Sequence, residues 1–295
     1  MKVAVIIVEF NDAEETVKYV KTIREYQTIQ RIVVVDNHST DLNAIRLLKE
    51  VENEKVVIVQ SDKNGGYNYG NNFGIHYLGE KGEKYDAIII SNPDIAIEEK
   101  AIEQCLEVLE MQPSVGVVAP RMYNSENKPI RRSSWKTRTF WLDVIHSTRL
   151  LEMIFYKKLR QGEYSEKDYT QDLLQVEAIS GAFFIIKYEV YQQIGGFDEN
   201  VFLFYEEDIL AKQLQEKGYQ IMSMNHSKFI HYESQTIGKT LSYYRKMKEL
   251  YKSKMYYQKK YNDIHFVQKC LFEILNLCRK IELILEIPIR KVLKK

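Results

Sequence analysis

The segment Val3-Ala4-Val5-Ile6-Ile7-Val8 is an unbroken apolar, β-branched run, and Glu9-Phe10-Asn11 ends it in polar side chains. A run of this kind suits a strand buried on both faces. Val17, Val20, Ile23 and Tyr26 follow at helical spacing, and a second run, Ile32-Val33-Val34-Val35, comes next. The order strand, helix, strand predicts a β-α-β unit. Working outward, residues 56–59, 87–90 and 115–119 read as further buried strands, alternating with helical patterns over 44–51, 71–78 and 100–111. Apolar strands separated by helices predict an α/β fold whose central sheet is mostly parallel and covered on both faces. Ligands of such sheets bind beyond the carboxyl ends of the strands. Chemistry is therefore expected at residues 9–11, 36–41, 64–66 and 91–94.

Composition narrows the classes. With 295 residues, 45% of them hydrophobic, and 42 Lys and Arg against 41 Asp and Glu, the chain can bury a substantial core and is neither disordered nor fibrous. The near-zero net charge gives no reason to expect a nucleic-acid partner, although the C-terminal quarter is basic. Cys105, Cys270 and Cys278 have no CxxC spacing and sit in apolar helical patterns, so they read as small hydrophobes rather than disulfides or zinc ligands. Glu9 and Asp12 follow the first apolar run at once, unlike a signal peptide, and no apolar stretch reaches the roughly 18 residues of a membrane span. A cytoplasmic protein is expected.

Several polar clusters fall where the sheet should present ligands. Asp36-Asn37-His38-Ser39-Thr40-Asp41 ends the second strand, and fits either a base or ribose contact or a helix cap. Asn64-Gly65-Gly66-Tyr67-Asn68-Tyr69-Gly70-Asn71-Asn72 follows the third strand and opens a helix. Its paired glycines allow close backbone approach, and a helix N-terminus favours a diphosphate. Asn92-Pro93-Asp94 follows Ile88-Ile89-Ile90, placing a carboxylate at a strand end where it can hold a hard divalent cation. Glu206-Glu207-Asp208 sets three adjacent acids at a helix start, more than capping needs, and one of them is a candidate general base. His231 ends a strand pattern and is a candidate metal ligand.

After Pro120 a polar, Arg- and Ser-rich stretch with Trp135 and Trp141 reads as a mobile or acceptor-facing insertion. A strand pattern then returns over residues 176–187, and a strand pair is expected to end near His231. Residues 239–262 hold eight Lys or Arg, one acid and many tyrosines, and 266–285 reads as an amphipathic helix. This extension fits an anionic membrane face, through its basic residues and tyrosines. Equally, it fits packing on the catalytic domain or on a second subunit in a homodimer.

Taken in order, these segments over about residues 2–234 resemble the family 2 glycosyltransferases, and more narrowly their bacterial rhamnosyltransferase-like branch. The matching stretches include Val5-Ile6-Ile7-Val8-Glu9-Phe10-Asn11, Val34-Val35-Asp36-Asn37, Asn92-Pro93-Asp94 in place of Asp-x-Asp, Ser180-Gly181-Ala182-Phe183-Phe184, Gly195-Gly196-Phe197-Asp198 and Phe204-Tyr205-Glu206-Glu207-Asp208. The resemblance implies a GT-A fold, the Rossmann-like nucleotide-diphospho-sugar transferase architecture. It divides the chain into a catalytic domain at 1–234, with a nucleotide and metal half to about 120 and an acceptor half to 234, and a helical extension at 235–295.

The implied activity is metal-dependent, inverting transfer of a hexose, L-rhamnose from dTDP-rhamnose being favoured over UDP-galactofuranose, UDP-glucose or UDP-galactose. The acceptor would be a saccharide or lipid-linked saccharide of cell-surface polysaccharide synthesis. Glu9, Asn11, Asp36, Asn64, Gly65, Gly66, Asn72, Asn92 and Asp94 are then expected on the donor side, with Asp36 at the base. Trp135, Ser180, Gly181 and Ala182 are expected on the acceptor side, and Asp94 with His231 on Mg²⁺ or Mn²⁺. Two departures stand out: Asn92 replaces an aspartate, and Glu206-Glu207 replaces a Glu-Asp pair, so that Glu207 is expected to be the base with Asp208 as the alternative. A sugar nucleotidyltransferase is disfavoured because no Gly-rich, Arg-containing loop follows the first strand. A degenerate scaffold of a polysaccharide assembly complex remains the non-enzymatic alternative.

Overall fold

The computed structural model describes residues 1–232 and 243–293. The expected domain boundary at 234/235, and residues 239–242 of the basic segment, lie outside the described residues. The β-α-β reading of the N-terminus holds: β1 (Val3–Glu9), α1 (Ala13–Ile23), β2 (Arg31–Asp36), α2 (Ala44–Lys49), β3 (Val56–Gln60), α3 (Tyr67–Glu80) and β4 (Ala87–Ser91) follow in order. Then come β5 (Ile95–Ile97), α4 (Glu99–Met111), β6 (Val115–Tyr123), β7 (Ser134–Trp135), α5 (Phe140–Ile145), α6 (Arg149–Ile154) and α7 (Tyr156–Leu159). The rest is β8 (Leu173–Val176), β9 (Ala178–Ile179), β10 (Phe183–Lys187), α8 (Tyr188–Gln193), α9 (Glu206–Glu216), β11 (Gln220–His231), α10 (Tyr243–Tyr261) and α11 (Phe266–Leu293).

The main sheet runs β3-β2-β1-β4-β10-β6-β11-β5, with β8 also pairing β11. β3, β2, β1 and β4 are parallel, β10 enters antiparallel between β4 and β6, and β6 pairs β11 in parallel. Alternation along the strands gives each face its own core. Val3, Val5 and Ile7 meet α1, α2 and α4, while Ala4 and Ile6 turn to the opposite face, where α3, α8 and α9 pack. Gly70 and Gly74, one turn apart on α3, permit that packing. A Cβ on Gly70 would stand 2.7 Å from Val8, and one on Gly74 2.8 Å from Ile6.

Two segments differ from the sequence expectation. The pattern over 176–187 is three short strands, because residues 180–182 leave the sheet to meet Asn92 and Glu207. The expected strand pair before His231 is one twelve-residue strand, β11, whose register shifts between Met224 and Lys228 let it pair β8 with its first half and β5 with its last. All three cysteines are free, and Cys105 is buried.

The extension is part of the catalytic body. Tyr257 of α10 is fully buried against Val201, Tyr205 and Ile209. Tyr256, Lys260 and Tyr261 all donate to Oδ2 of Asp198 at 2.7 to 2.8 Å. These tyrosines anchor the helix to the domain rather than to an interface with lipid, which favours the packing reading for α10. α11 behaves differently, leaving Phe266, Val267, Ile274, Leu277, Ile281 and Ile284 exposed. Among the described residues no helix is long and apolar enough to cross a membrane.

Candidate active site

The carboxyl ends of β1, β2 and β3 are stitched together by the residues expected on the donor side. Asn11, in the left-handed region at φ 56°, accepts the backbone N–H groups of Thr40 and Asp41 at 2.8 and 3.1 Å. Glu9 is buried and accepts from the Ser39 hydroxyl at 2.6 Å and the Asp12 N–H at 2.9 Å. Burial, more than any neighbour, pushes its pKa up to about 7. Asp36 is also fully buried, and its two oxygens accept from the Ser39 N–H and the Gln60 amide, each at 2.8 Å. These three side chains thus shape the loop that follows β2. Asn37, absent from the expected site set, ties that loop to the next by donating to the Gly66 carbonyl at 3.0 Å.

In the asparagine-glycine segment the glycines answer to sterics. Gly66 has φ 94°, and a Cβ there would lie 2.3 Å from the Phe202 carbonyl oxygen. At Gly65 a Cβ would collide with the Tyr69 ring. Asn64 accepts from the Gly66 N–H at 3.2 Å. Asn72 corrects the expectation of donor contact: it is buried, donates to the Phe197 carbonyl and Glu199, and accepts from Tyr191 and the Phe197 N–H. It pins the Gly195-Gly196-Phe197 turn to α3 and has no polar atom left for a ligand.

Asn92 and Asp94 lie between β4 and β5, where the sheet ends. The Asn92 N–H donates to the Ala182 carbonyl at 2.8 Å. Asp94 Oδ2 and His231 Nε2 are 3.3 Å apart, brought together by the β5–β11 pairing that also sets the Tyr232 N–H on the Asp94 carbonyl. One carboxylate and one imidazole at this separation fit a shared Mg²⁺ or Mn²⁺ whose remaining positions are open to diphosphate and water. Among the described residues no cluster of three or more His, Cys, Asp or Glu forms a closed metal cage.

Residues 180–182 bridge this corner to the acid cluster. The Gly181 N–H donates to Glu207 Oε1 at 3.1 Å, and the Tyr67 hydroxyl donates to the Gly181 carbonyl. The acids start α9 directly after Phe204 and Tyr205, which have φ of 73° and 70°. Non-glycine residues in this region carry roughly 1–3 kcal/mol of strain each, and here the strained turn aims the first helical turn at the cleft. Glu206 is buried, and desolvation followed by the charge of Glu207 pushes its pKa up to about 8. Glu207 is only partly buried; desolvation raises its pKa, while its backbone hydrogen bonds, including that from Gly181, and Arg138 pull the other way. Asp208 is buried, with Oδ1 accepting the Arg138 N–H at 2.9 Å and Oδ2 near Trp135 Nε1 at 3.4 Å.

Glu207, Asp208 and Trp135 face one cavity of about 210 Å³, together with Arg132, Lys136 and Arg138. Arg138 is the main residue that sequence reading missed. It bridges two carboxylates, 3.2 Å from Asp143 and 3.6 Å from Asp208, and its guanidinium lies over the Tyr205 ring. Burial works against its charge, yet Tyr205, Asp143 and Asp208 together hold its pKa above the ordinary value. Its position in an insertion without regular pattern left no periodic signal to find it by.

Comparison with known proteins agrees with this geometry. Among solved structures, GalNAc-T7 with UDP, GalNAc and Mn²⁺ superposes with a TM-score of 0.58 at 15% identity, over 78% of this chain and 43% of that one. The mannosyltransferase PcManGT from Pyrobaculum calidifontis, with GDP-Man and Mn²⁺, gives 0.55 at 17% identity, over 88% and 64%. The fold is therefore GT-A, that of nucleotide-diphospho-sugar transferases. The Glycosyl transferase family 2 model matches residues 4–195, and the chain belongs to that family. Relatives include the low-salt glycan biosynthesis hexosyltransferase Agl10 of Haloferax volcanii, 26% identical over 69% of this chain, of whose length the match spans 58%. Another is the N-acetylglucosaminyl-diphospho-decaprenol L-rhamnosyltransferase of Mycobacterium tuberculosis, 22% identical over 70% of this chain and 68% of its own length. The rhamnosyltransferase-like branch is thereby supported.

Proposed function

We propose that the protein is an inverting glycosyltransferase that moves a hexose, L-rhamnose from dTDP-L-rhamnose in the first instance, onto a saccharide carried by a lipid at a membrane surface. The observation that carries this reading is the turn at residues 180–182. One side of it hydrogen-bonds Asn92, two residues from the Asp94–His231 pair, and the other hydrogen-bonds Glu207. A diphosphate at the first and an acceptor hydroxyl at the second would meet over this turn.

In the proposed reaction the acceptor oxygen bonds to the anomeric carbon as the bond to the nucleoside diphosphate breaks on the opposite face. Glu207 takes the hydroxyl proton. Desolvation raises its pKa above the ordinary carboxylate value, which makes it the stronger proton acceptor. Asp94 and His231 would hold the divalent cation, which when bound neutralises charge on the leaving diphosphate. Trp135, Ser180 and Ala182 flank the acceptor side, and Asn64, Gly65 and Gly66 form the donor-side loop. The exposed apolar face of α11 supports a lipid surface as the place of work.

The test is incubation with dTDP-rhamnose, UDP-galactofuranose, UDP-glucose and UDP-galactose, with Mn²⁺, Mg²⁺ or chelator, reading nucleoside diphosphate release and the anomeric configuration of the product. Metal-dependent release from dTDP-rhamnose with inversion is expected. No release from any donor would support the degenerate scaffold instead.

A further inference from the structure

A second cavity, about 310 Å³, opens between α10 and α11. That is within the range of small-ligand sites, about 300–1,000 Å³. His146 and Leu250 line both this cavity and the one that holds Glu207 and Asp208, so the two adjoin. Its walls include the apolar Met247, Leu250, Phe272 and Leu283.

Lys254 also lines it, and is the unusual residue. The side chain is 7% exposed, its ammonium donates to the Ser147 hydroxyl at 3.0 Å, and among the described residues no carboxylate pairs with it. The buried Asp143 already accepts from Arg138 and Gln258, and Glu152 meets His146. Burial, joined by the charge of Arg138, lowers the Lys254 pKa by more than Asp143 and Glu152 raise it. The side chain's other contact is the Phe272 ring, 5.7 Å from the ammonium to the ring centre, and a buried cation held by one hydroxyl and one ring face gains from an anion beside it. Lys248 and Lys280 add exposed positive charge to the same cavity, whereas Lys252 and Arg279 are paired with Glu249 and Glu282.

The geometry points to a phosphate-bearing lipid in this cavity, its phosphate or diphosphate on Lys254 and its chain against Phe272 and Leu283, with the attached sugar reaching past His146 and Leu250 to Glu207. The inference rests on the transferase reading above and adds the subsite that tells a lipid-phosphate acceptor from a free sugar.

The probes are farnesyl diphosphate, inorganic pyrophosphate and farnesol, titrated calorimetrically into the full chain. Wild type should bind farnesyl diphosphate at least tenfold more tightly than either of the others, and Lys254→Met should lose at least tenfold of that affinity. Because Lys254 is buried, circular dichroism checks its fold. The exposed Lys248→Glu, Lys280→Glu double variant, which has no core contact to lose, should weaken binding several-fold. Unchanged farnesyl diphosphate binding in the folded variants overturns the proposal. Equal binding of pyrophosphate reduces the site to a free-anion site, equal binding of farnesol to an apolar crevice, and each overturns it too. Sugar transfer to a lipid-free acceptor without farnesyl diphosphate binding would sink this inference alone. Lys254-dependent binding with no turnover of any sugar nucleotide would sink the transferase reading and leave this one standing.

Discussion

The Gly181 N–H and Glu207 Oε1 are hydrogen-bonded at 3.1 Å, and a methyl group added at Gly181 would stand 3.1 Å from the same oxygen. The backbone thus fixes one oxygen of the carboxylate that, in the proposed reaction, meets the acceptor hydroxyl. Glu207→Gln should lower turnover by about 10²–10⁴-fold, the usual worth of a positioned base, with donor binding retained. Gly181→Ala should give a smaller loss in kcat, because the carboxylate must give way by a few tenths of an ångström rather than disappear. Steady-state kinetics with a donor-binding control would check both.

Asp208 stands beside Glu207 and is tied into the scaffold. Both its oxygens face protein donors, and Arg138 spans the gap from it to Asp143. Removing one partner of a buried ion pair costs about 3–5 kcal/mol, so Asp208→Ala should show a loss of that order in chemical denaturation. Asp208→Asn should retain more activity than Glu207→Gln. A dead Asp208→Asn beside an active Glu207→Gln would reverse the assignment of the base.

The sheet was legible because its strands are apolar on both faces: Val3, Val5 and Ile7 meet one helical layer, Ala4 and Ile6 the other. Glu207 and Asp94 stood out as candidates because acids at a helix start and a strand end contrast with apolar runs. Asn72 misled, since an asparagine that stitches two loops and one that binds a ligand look alike in sequence. Arg138 and Lys254 were hidden for another reason. Their surroundings come from residues far along the chain, Arg138 meeting Tyr257 and Asn262, and Lys254 meeting Ser147. Residues 243–262 fitted an interfacial belt and a packed helix equally, because tyrosine and lysine composition does not record which way a helix turns its faces.

Stability should fall as pH rises across the neutral range. Burial and the neighbouring Glu207 raise Glu206 to about 8 in the folded protein, against about 4.5 unfolded, so the folded state binds the proton more tightly. This contribution is complete below about pH 4.5 and is lost as pH climbs through about 8. Glu9 and Asp208, both raised to about 7 by burial, add to the same trend. Asp198 acts oppositely: burial raises its pKa but Lys260, Tyr261 and Asn200 outweigh it, and its stabilisation is lost on acidification. Melting curves between about pH 5.5 and 8.5 should show a falling midpoint whose slope Glu206→Gln makes shallower. The same slope in that variant would remove Glu206 as its cause.

Asp94→Ala should separate metal use from folding. The residue is buried beside His231, so the variant's midpoint is compared with its own value in the absence of ligand rather than with that of wild type. Addition of Mn²⁺ with a nucleoside diphosphate should raise the midpoint of wild type by mass action and fail to do so in the variant. An equal rise in both would place the cation elsewhere.

The C-terminal helix should prove indispensable, for reasons that lie in the site itself. Tyr257 donates to the Arg138 carbonyl at 3.0 Å, Asn262 donates to the same oxygen at 2.9 Å, and Gln258 donates to Asp143 Oδ2 at 2.7 Å. α10 and the residue after it therefore hold Arg138, whose N–H fixes Asp208 and whose side chain lines the cavity beside Glu207. Tyr257→Phe removes one buried hydrogen bond and should cost about 1 kcal/mol. Tyr257→Ala opens a cavity between α9 and α10 and should cost about 3–5 kcal/mol, with kcat falling further than in Tyr257→Phe as Arg138 shifts. A chain ending at residue 234 would expose Val201, Tyr205 and Ile209, which now pack on Tyr257. It should precipitate or unfold at the temperature where the full chain is active. A truncated protein with the full chain's melting midpoint and turnover would show that α10 merely rests on the catalytic body.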